Sequence, residues 1–188
     1  IQKGATLYNQ SVVFGCRDYF MYSLNIESGK LNWSKEENNS WIIAAPLLVD
    51  GLLCYGTSDS HHFQLMTAAT GEIKKTFSLN MRVYAEAILL RNQVLFGCFN
   101  GKLYQVDLAS NTIREVFQTD GSKRNYHSVY NEDGTFRADF KLYGNDYVAS
   151  EKQILGLGSI LSTPCIANGM IYLGDSNGCF YALRVSAP

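Results

Sequence analysis

Residues 42–77 read IIAAPLLVDGLLCYGTSDSHHFQLMTAATGEIKKTF, and this stretch decides the fold. It holds four segments of strand-like composition, separated from one another by turn residues. The first segment is mostly apolar, as in a strand buried on both faces. The pair Asp50-Gly51 favours the positive φ angles of a two-residue hairpin turn. The third segment alternates, and the last is the most polar. The predicted unit is therefore a small antiparallel sheet that is buried at its inner strand and solvated at its outer strand.

The same unit occurs four times. Each copy has a glycine at the end of its second segment, called the anchor glycine below: Gly15, Gly56, Gly97 and Gly174. The first three anchors are 41 residues apart, and the fourth follows after 77, which is one period plus an insertion of 36. A strand-rich period near 40 predicts a β-propeller. Three residues after each anchor is a turn-forming Asp or Asn: Asp18, Asp59, Asn100 and Asn177. Seven residues after each anchor is an aromatic residue: Tyr22, Phe63, Tyr104 and Tyr181. Nine residues after each anchor is an aliphatic residue: Leu24, Leu65, Val106 and Leu183.

The positions that repeat relative to the anchor glycines predict an all-β chain, a partial β-propeller with four blades of four antiparallel strands. The shared aromatic and aliphatic positions are interpreted as packing between blades. The fourth blade is expected to end at its third strand, 183–185, because only three residues follow. The whole chain, 1–188, is expected to form one arc with inner strands near 4–9, 42–49, 83–90 and 160–167, blades at about 4–36, 41–79, 82–119 and 158–185, and an insertion at 120–157.

Composition limits the classes of function. The chain has 188 residues with 16 basic and 17 acidic side chains, so it has no electrostatic reason to bind nucleic acid or an anionic membrane. No apolar stretch approaches the roughly 20 residues of a transmembrane segment. The five cysteines form no CxxC pair and are interpreted as small buried hydrophobic residues: Cys16, Cys54, Cys98, Cys165 and Cys179.

Two segments resemble a known family. Residues 23–33, SLNIESGKLNW, are similar to the A-x-D-x-x-T-G-K-x-x-W signature of PQQ-like (quinoprotein-type) propeller repeats, and residues 174–183, GDSNGCFYAL, resemble the same family's G-S-x-D-G-x-x-Y-A-L. The resemblance covers nearly everything outside 120–157. It implies the propeller fold and leaves activity open, because that fold carries both dehydrogenases and pure scaffolds.

The departures from the family pattern favour a scaffold. Family enzymes end each outer strand with a tryptophan; here only Trp33 fits, and Lys75 and Glu115 stand at the matching positions. The vicinal cysteine pair of quinoprotein dehydrogenases is absent, and no calcium ligand set can be assigned. We therefore predict no catalytic residue, no metal site and no cofactor. The closer likeness is to the non-enzymatic, BamB-like members, among which export to the bacterial periplasm or cell surface is common. The alternative is the accessory propeller of a multidomain enzyme, either a quinoprotein dehydrogenase or a calcineurin-like phosphoesterase.

The insertion is the candidate site. Residues 125–130 and 135–140 flank Asn131-Glu132-Asp133-Gly134, and Asp-Gly between alternating segments predicts a hairpin. Long insertions are often functional, although a hairpin that only covers an exposed sheet edge is the plainer interpretation. As a partner-binding arm, its predicted contacts are Tyr126, His127, Tyr130 and Arg137, since aromatic residues and arginine dominate binding hot spots.

Two other candidates are set aside. Adjacent strand residues point to opposite faces, so His61 and His62 are not expected to bind one metal ion. The Asp and Asn residues three after the anchors are explained by turn formation.

Four blades are about half of a family propeller, so two blade faces and one strand edge are expected to be unpaired. Unpaired edges and apolar faces favour association. The predicted partners are the remaining blades of the same polypeptide or, as a second option, another copy of the chain. A ring closed by these four blades alone is a third option.

Overall fold

The computed structural model describes residues 1–184, and it contains four antiparallel sheets that follow one another along the chain. Each sheet is one blade with its strands in sequence order, so the predicted all-β class with antiparallel propeller blades is confirmed. Blade one has β1 (Thr6–Tyr8), β2 (Ser11–Gly15), β3 (Phe20–Asn25) and β4 (Leu31–Glu36). Blade two has β5 (Leu47–Val49), β6 (Leu52–Gly56), β7 (His62–Thr67) and β8 (Ile73–Ser78).

The second half of the chain repeats this order around the insertion. Within residues 1–184, blade four has three strands, and Val185 of its predicted third strand lies outside the described residues. Blade three has β9 (Ile88–Leu90), β10 (Gln93–Gly97), β11 (Lys102–Asp107) and β12 (Thr112–Gln118). The insertion has α1 (Asp120–Asn125), a 3₁₀ turn (Tyr126–Ser128) and α2 (Tyr147–Leu155). Blade four has β13 (Cys165–Ala167), β14 (Met170–Gly174) and β15 (Phe180–Arg184).

The inner strands are shorter than predicted, with three residues each. The residues before them form the connection that crosses from one blade to the next. The prolines explain where pairing begins, because Pro46 and Pro164 stand directly before β5 and β13 and have no N–H to donate. The predicted Asp50-Gly51 turn is present, with φ angles of 47° and 78°.

The anchor glycines let neighbouring blades approach closely. At each of the first three anchors a backbone N–H of the connection donates to the carbonyl oxygen of the residue that follows the anchor. The N···O distances are 3.0–3.2 Å, and the pairs are Ile42 with Cys16, Val83 with Thr57 and Ile160 with Cys98. A Cβ atom on Gly56 would lie 2.2 Å from Val83 Cγ1 and 2.9 Å from the Val83 carbonyl oxygen. Cβ atoms on Gly15 and Gly97 would also lie 2.2 Å from the nearest side-chain atom. Only glycine therefore fits at these three seams.

The predicted equivalence of the aromatic positions is wrong for blade two. In blades one, three and four the residue paired with the anchor glycine is the sixth after it, but Gly56 pairs with Phe63, the seventh. The turn before β7 is one residue longer, so Gln64 takes the place of Tyr22. Because side chains alternate along a strand, Phe63 points to blade three, where it stacks on Phe96 with ring centroids 3.8 Å apart. The aliphatic position shifts in the same way, so Leu65 is not the equivalent of Leu24.

Trp33 ties blade one to blade two. Its Nε1–H donates to the Ala68 carbonyl oxygen at 3.1 Å, and its ring covers Gly71, where a Cβ atom would lie 2.7 Å from Trp33 Cε3. Trp33 pairs with Ser23, and Lys75 holds the same place in blade two, paired with Leu65.

Arg114 holds the tryptophan position of blade three, so the prediction of Glu115 is wrong. The partner of Gln105, which stands where Ser23 stands in blade one, is Arg114 and not Glu115. The β-bulge of blade three lies at a different point of the strand pair, between Leu103 and Tyr104, and this moves the register of β12 by one residue.

The cysteines divide into two groups. Cys54 and Cys98 are fully buried, as predicted, and burial raises the pKa of both thiols to about 12. Cys16 is half-buried, whereas Cys165 and Cys179 are exposed, so the interpretation as buried hydrophobic residues is wrong for these last two. Both exposed cysteines lie on blade four.

A buried carboxylate lies at the seam between blades one and two. Glu37 is 2% exposed; its side chain accepts hydrogen bonds from the Tyr55 hydroxyl and, at 3.1 Å, from Gln64 Nε2. Gln64 Oε1 in turn accepts from the Thr76 hydroxyl at 2.7 Å. Burial raises the pKa of Glu37 above its ordinary value, against the opposing effect of the hydrogen bonds and of the nearby Lys35 and His62.

This raised pKa predicts a pH-dependent stability. A carboxyl whose pKa is higher in the folded than in the unfolded state stabilises the fold below its unfolded pKa, and that contribution is lost as pH rises through the folded pKa. Glu37→Gln removes the titration, and its amide can be accommodated if the Gln64 amide flips. We expect the free energy of unfolding of Glu37→Gln to rise relative to the parent chain between pH 4 and pH 7. Denaturant titrations across that range measure the difference, and a constant difference would contradict the assignment.

Candidate partner-binding cleft on the insertion

The insertion folds back over the loop ends of blades two and three. Helix α1 begins where the Thr119 hydroxyl accepts a hydrogen bond from the Ser122 N–H at 3.2 Å, and α2 begins where the Asp146 carboxylate accepts from the Ala149 N–H at 3.0 Å. The predicted hairpin is therefore wrong for residues 125–128, which are helical. What remains of it is one bridge between Tyr130 and Phe136 around Gly134, whose φ is 80°.

Asn80 holds the insertion at its centre. Its Nδ2 donates to the Tyr126 hydroxyl at 2.8 Å and to the Gly134 carbonyl oxygen at 3.0 Å, and its backbone carbonyl accepts from the Tyr130 hydroxyl at 3.4 Å. A second attachment joins the Ser122 hydroxyl to the Asn100 carbonyl oxygen at 2.7 Å. Because these polar groups come from both the propeller and the insertion, the position of the insertion is specified by the blades below it.

An aromatic ladder forms the interior of the insertion. Tyr126 stacks on Tyr130 at 4.5 Å between ring centroids, Tyr130 stacks on Phe136 at 5.2 Å, and Phe136 is followed by Phe140 at 5.3 Å. Tyr130 is 2% exposed, and burial raises the pKa of its hydroxyl. The ladder belongs to the largest hydrophobic cluster of the propeller, which includes Phe96. The insertion therefore contributes buried side chains to the core shared by blades two and three.

All four predicted contact residues line one open cleft of about 410 Å³ on the outer side of this ladder. Tyr126 and the buried Tyr130 form its floor, and the exposed His127 and Arg137 form its rim. Arg137 is held in place by Asp139, with Nε and Nη2 at 2.9 and 3.0 Å from the carboxylate oxygens. That ion pair raises the pKa of Arg137 and lowers the pKa of Asp139.

The cleft is also lined by three residues that were not predicted from the sequence: Lys123, Asn131 and Glu132. Lys123 lies on α1, one helical turn before His127. The spacing of four residues places the two side chains on the same side only in a helix, and the sequence did not predict a helix here. A second cation, Lys102, lies beneath the floor, with its Nζ 4.5 Å from the Tyr126 ring centroid. The cleft therefore combines an aromatic floor with a rim of mixed charge, because Lys102, Lys123 and Arg137 are paired with the carboxylates of Glu115, Asp120 and Asp139, respectively.

A buried arginine fastens the other end of the insertion. Arg82, 7% exposed, forms an ion pair with Glu151 of α2 at 2.6 Å and lies 5.5 Å from the ring centroid of Tyr143. The Tyr143 hydroxyl donates to the Asp59 carboxylate. Next to this group is His61, whose pKa is lowered to about 4 by burial and by the charge of Arg82. Here polar contacts attach the insertion to the propeller.

The Asp and Asn residues three after the anchors form hydrogen bonds within the fold. Asp18 and Asn100 accept from the N–H groups of Phe20 and Lys102 within their own turns, as turn residues do, whereas Asp59 bonds to the insertion. Within residues 1–184, no three His, Cys, Asp or Glu side chains come together in a way that could hold a metal ion. None of the helices found in that part of the chain is both long and apolar enough to cross a membrane.

Comparison with solved structures supports the fold. BamB from Moraxella catarrhalis superimposes with a TM-score of 0.64 and 17% identity, over 95% of this chain and 48% of BamB. The computationally designed Ika4 protein superimposes with a TM-score of 0.64 and 13% identity, over 99% of this chain and 94% of Ika4. These identities establish likeness of fold alone. The chain thus has a β-propeller-like fold and spans about half of the BamB fold.

Sequence comparison gives one partial match. No protein-family model matches the chain. A human protein, the beta-alanine-activating enzyme, is 25% identical over 105 residues, which are 53% of this chain and 9% of the enzyme. The chain therefore spans about a tenth of the length of the curated relative that it matches.

Proposed function

We propose that the chain is a non-catalytic PQQ-like propeller scaffold, part of a longer propeller, that binds a protein partner through the insertion cleft. The observation that supports this proposal most directly is the position of Tyr126, His127 and Arg137 on one accessible surface above a packed aromatic floor. The insertion departs from the repeat, so its cleft is particular to this part of the arc. The absence of cofactor and of catalytic residues remains part of the proposal.

The cleft has the physical character of a peptide-binding surface. Aromatic and arginine side chains contribute most to hot spots, and a floor fixed by stacking and by Asn80 loses little side-chain entropy on binding. Lys123 and Arg137 place N–H donors around the rim and His127 adds an exposed imidazole, while the carboxylates of Asp120, Asp139 and Glu132 balance the charge. A partner segment with an apolar or aromatic anchor and flanking hydrogen-bond acceptors would complement both features.

Selection from a phage-displayed library of random peptides on the 188-residue chain tests this proposal. We expect enriched peptides to carry an aromatic residue beside side chains that accept hydrogen bonds. Arg137→Ala should weaken their binding by about tenfold or more, as for a hot-spot arginine. Arg124→Ala is the matched control, because Arg124 is also exposed on the insertion but is not among the residues that line the cleft. Equal effects of the two substitutions would contradict the proposed site.

One observation favours a second role, that of an accessory propeller in a multidomain enzyme. The matched relative is named as an activating enzyme, and the matched region is 9% of its length. A propeller in such a chain would position partners or other domains while the reaction takes place elsewhere. Sequencing of the complete transcript would show whether enzyme domains accompany this segment. A stoichiometric quinone signal after reconstitution with PQQ and calcium would instead favour the quinoprotein form of this role.

A further inference from the structure

A second cleft, which we call the amide cleft, lies at the seam between blades one and two, at the end of the blades opposite the insertion. Its volume is about 360 Å³, and none of the nine residues that line it in the described part of the chain is Asp, Glu, Lys, Arg or His. Ala68 and Ala69 of blade two form one wall, and Tyr8 packs against the hydrophobic cluster of the seam. The other six lining residues carry amide or hydroxyl groups: Asn9, Gln10, Ser11, Ser23, Asn25 and Asn32.

The next blade shows that the fold does not need polar groups at these places. Ser11 pairs with the last residue of β3, and Leu52 pairs with the last residue of β7, so the two hold the same position. Ser23 and Leu65 are equivalent in the same way, and each is 1% exposed. Because leucine fills both positions in blade two, packing alone does not explain the two hydroxyl groups of blade one.

Blade three has amides at the same two places, but they bond to one another and to charged groups. Gln105 Nε2 donates to Gln93 Oε1 at 2.5 Å, and Gln93 Nε2 donates to the Asp107 carboxylate at 2.6 Å. Arg114 Nη2 in turn donates to Gln105 Oε1 at 3.3 Å. The uncharged cleft is therefore particular to the seam between blades one and two.

Hydrogen bonds within blade one fix the direction of the amide groups in the amide cleft. Asn25 Oδ1 accepts from two backbone N–H groups of the following turn, at 3.1 and 2.9 Å, which leaves the Nδ2 hydrogens to bond elsewhere. Asn32 Nδ2 donates to the hydroxyl oxygens of Ser11 and Ser23 at 2.9 and 3.3 Å. The Asn32 carbonyl oxygen and the two hydroxyl hydrogens remain to bond a ligand. The cleft therefore presents oriented donors and acceptors side by side, without charge.

We propose that the amide cleft binds a neutral saccharide. Amide and hydroxyl side chains both donate and accept, and the hydroxyl groups of a sugar do the same. A phosphate, nucleotide or carboxylate ligand would be matched by a cationic side chain, and none lines the cleft. Protein-binding hot spots combine several Trp, Tyr and Arg residues, whereas Tyr8 is the one such residue among the nine. The volume is within the range of small-molecule sites, about 300–1,000 Å³.

Heteronuclear NMR titration of the 188-residue chain tests the proposal. The probes are the methyl glycosides of glucose, galactose, mannose and N-acetylglucosamine. We expect at least one of these sugars to cause saturable shifts of the side-chain amide signals of Asn25 and Asn32. Methyl phosphate, as an anionic probe of similar small size, should leave these signals unchanged.

Asn25→Asp separates binding from structure. Asp keeps an oxygen for the turn, as Asp107 does at the same position of blade three, where it accepts from the Ala109 and Ser110 N–H groups at 2.9 Å. The variant loses the Nδ2 donors, so its thermal stability should match that of the parent chain while its affinity for the sugar falls about tenfold or more. Asn92→Asp, an exposed turn residue of blade three, adds the same charge away from the cleft and should bind like the parent chain.

Three results would overturn the proposal: no saturable shift with any of the sugars, shifts confined to residues away from the amide cleft, or an Asn25→Asp variant that binds like the parent chain. A selected peptide that shifts the Asn25 and Asn32 signals in place of a sugar would show a protein-binding site and would also overturn it. The inference goes beyond the partner-binding role proposed above. Peptide binding at the insertion cleft should be unchanged in Asn25→Asp, so the two proposals fail independently.

Discussion

Gly56→Ala should destabilise the protein by about 3 kcal/mol, the upper end of the usual range for overpacking. The new Cβ atom would lie 2.2 Å from Val83 Cγ1 and 2.3 Å from Val83 Cβ, and the Val83 carbonyl oxygen is only 2.9 Å away. A change of rotamer cannot relieve contacts with a Cβ atom and a backbone oxygen, so blade three must move away from blade two. That movement would also loosen the Phe63–Phe96 stack.

Denaturant unfolding of Gly56→Ala beside Gly4→Ala measures this effect. At Gly4 the added Cβ would lie 3.6 Å from the Ala45 side chain, an ordinary van der Waals contact, so the same substitution should change stability by less than about 1 kcal/mol. Similar losses for the two variants would show that close approach at the seam is not what requires the glycine.

Glu151→Gln should cost about 2 kcal/mol, less than the loss of a partner in a fully buried ion pair, because Arg82 is buried but the Glu151 side chain is 31% exposed. Gln keeps the shape of the side chain but leaves the charge of Arg82 buried without a counterion. Amide hydrogen exchange in α2 should accelerate, because this pair joins the helix to the propeller. Glu72→Gln is the matched control: Glu72 pairs with Lys74 at 2.7 Å, but both side chains are about half exposed, and such pairs contribute less than about 1 kcal/mol.

A double variant distinguishes charge burial from packing. Replacing both partners with apolar residues, Arg82→Met with Glu151→Leu, leaves no uncompensated charge, and such replacements are often neutral or stabilising. The double variant should therefore recover most of the stability lost in Glu151→Gln. If the double variant is as unstable as the single one, the contribution of Arg82 lies in its contacts with the rings of Tyr143 and Phe99.

The repeat could be predicted because its physical requirements are local. An anchor glycine, a turn pair such as Asp50-Gly51 and an alternating strand lie within a few residues of one another, and four copies of them establish the repeat period. The error at Phe63 has a local cause too: one extra turn residue moves every following side chain to the other face of the sheet. Since Phe63 and Gln64 are neighbours, the pattern alone does not show which of them faces which blade.

The insertion could be predicted only in part, because distant contacts determine its structure. Aromatic residues and an Asp-Gly pair favoured a hairpin, but Asn80 and Phe96 on the blades position Tyr126 and Tyr130 in a helical turn and a short bridge. Propensity is a weak guide where tertiary packing competes with it. Arg82 and Glu151 are 69 residues apart, and no feature of either neighbourhood in the sequence indicates that they meet.

The shared core of the blades and the insertion has a consequence for the order of folding during synthesis. Phe77 and Met81 share a hydrophobic cluster with side chains that the ribosome adds much later, among them Val129, Phe140 and Leu157. At about 5–20 residues per second, several seconds separate the two groups. During that interval blades one and two can pair their strands, but the apolar end of blade two stays uncovered. The nascent chain is therefore expected to be prone to aggregation or chaperone binding until the insertion emerges. The apolar residues of the insertion then complete this cluster.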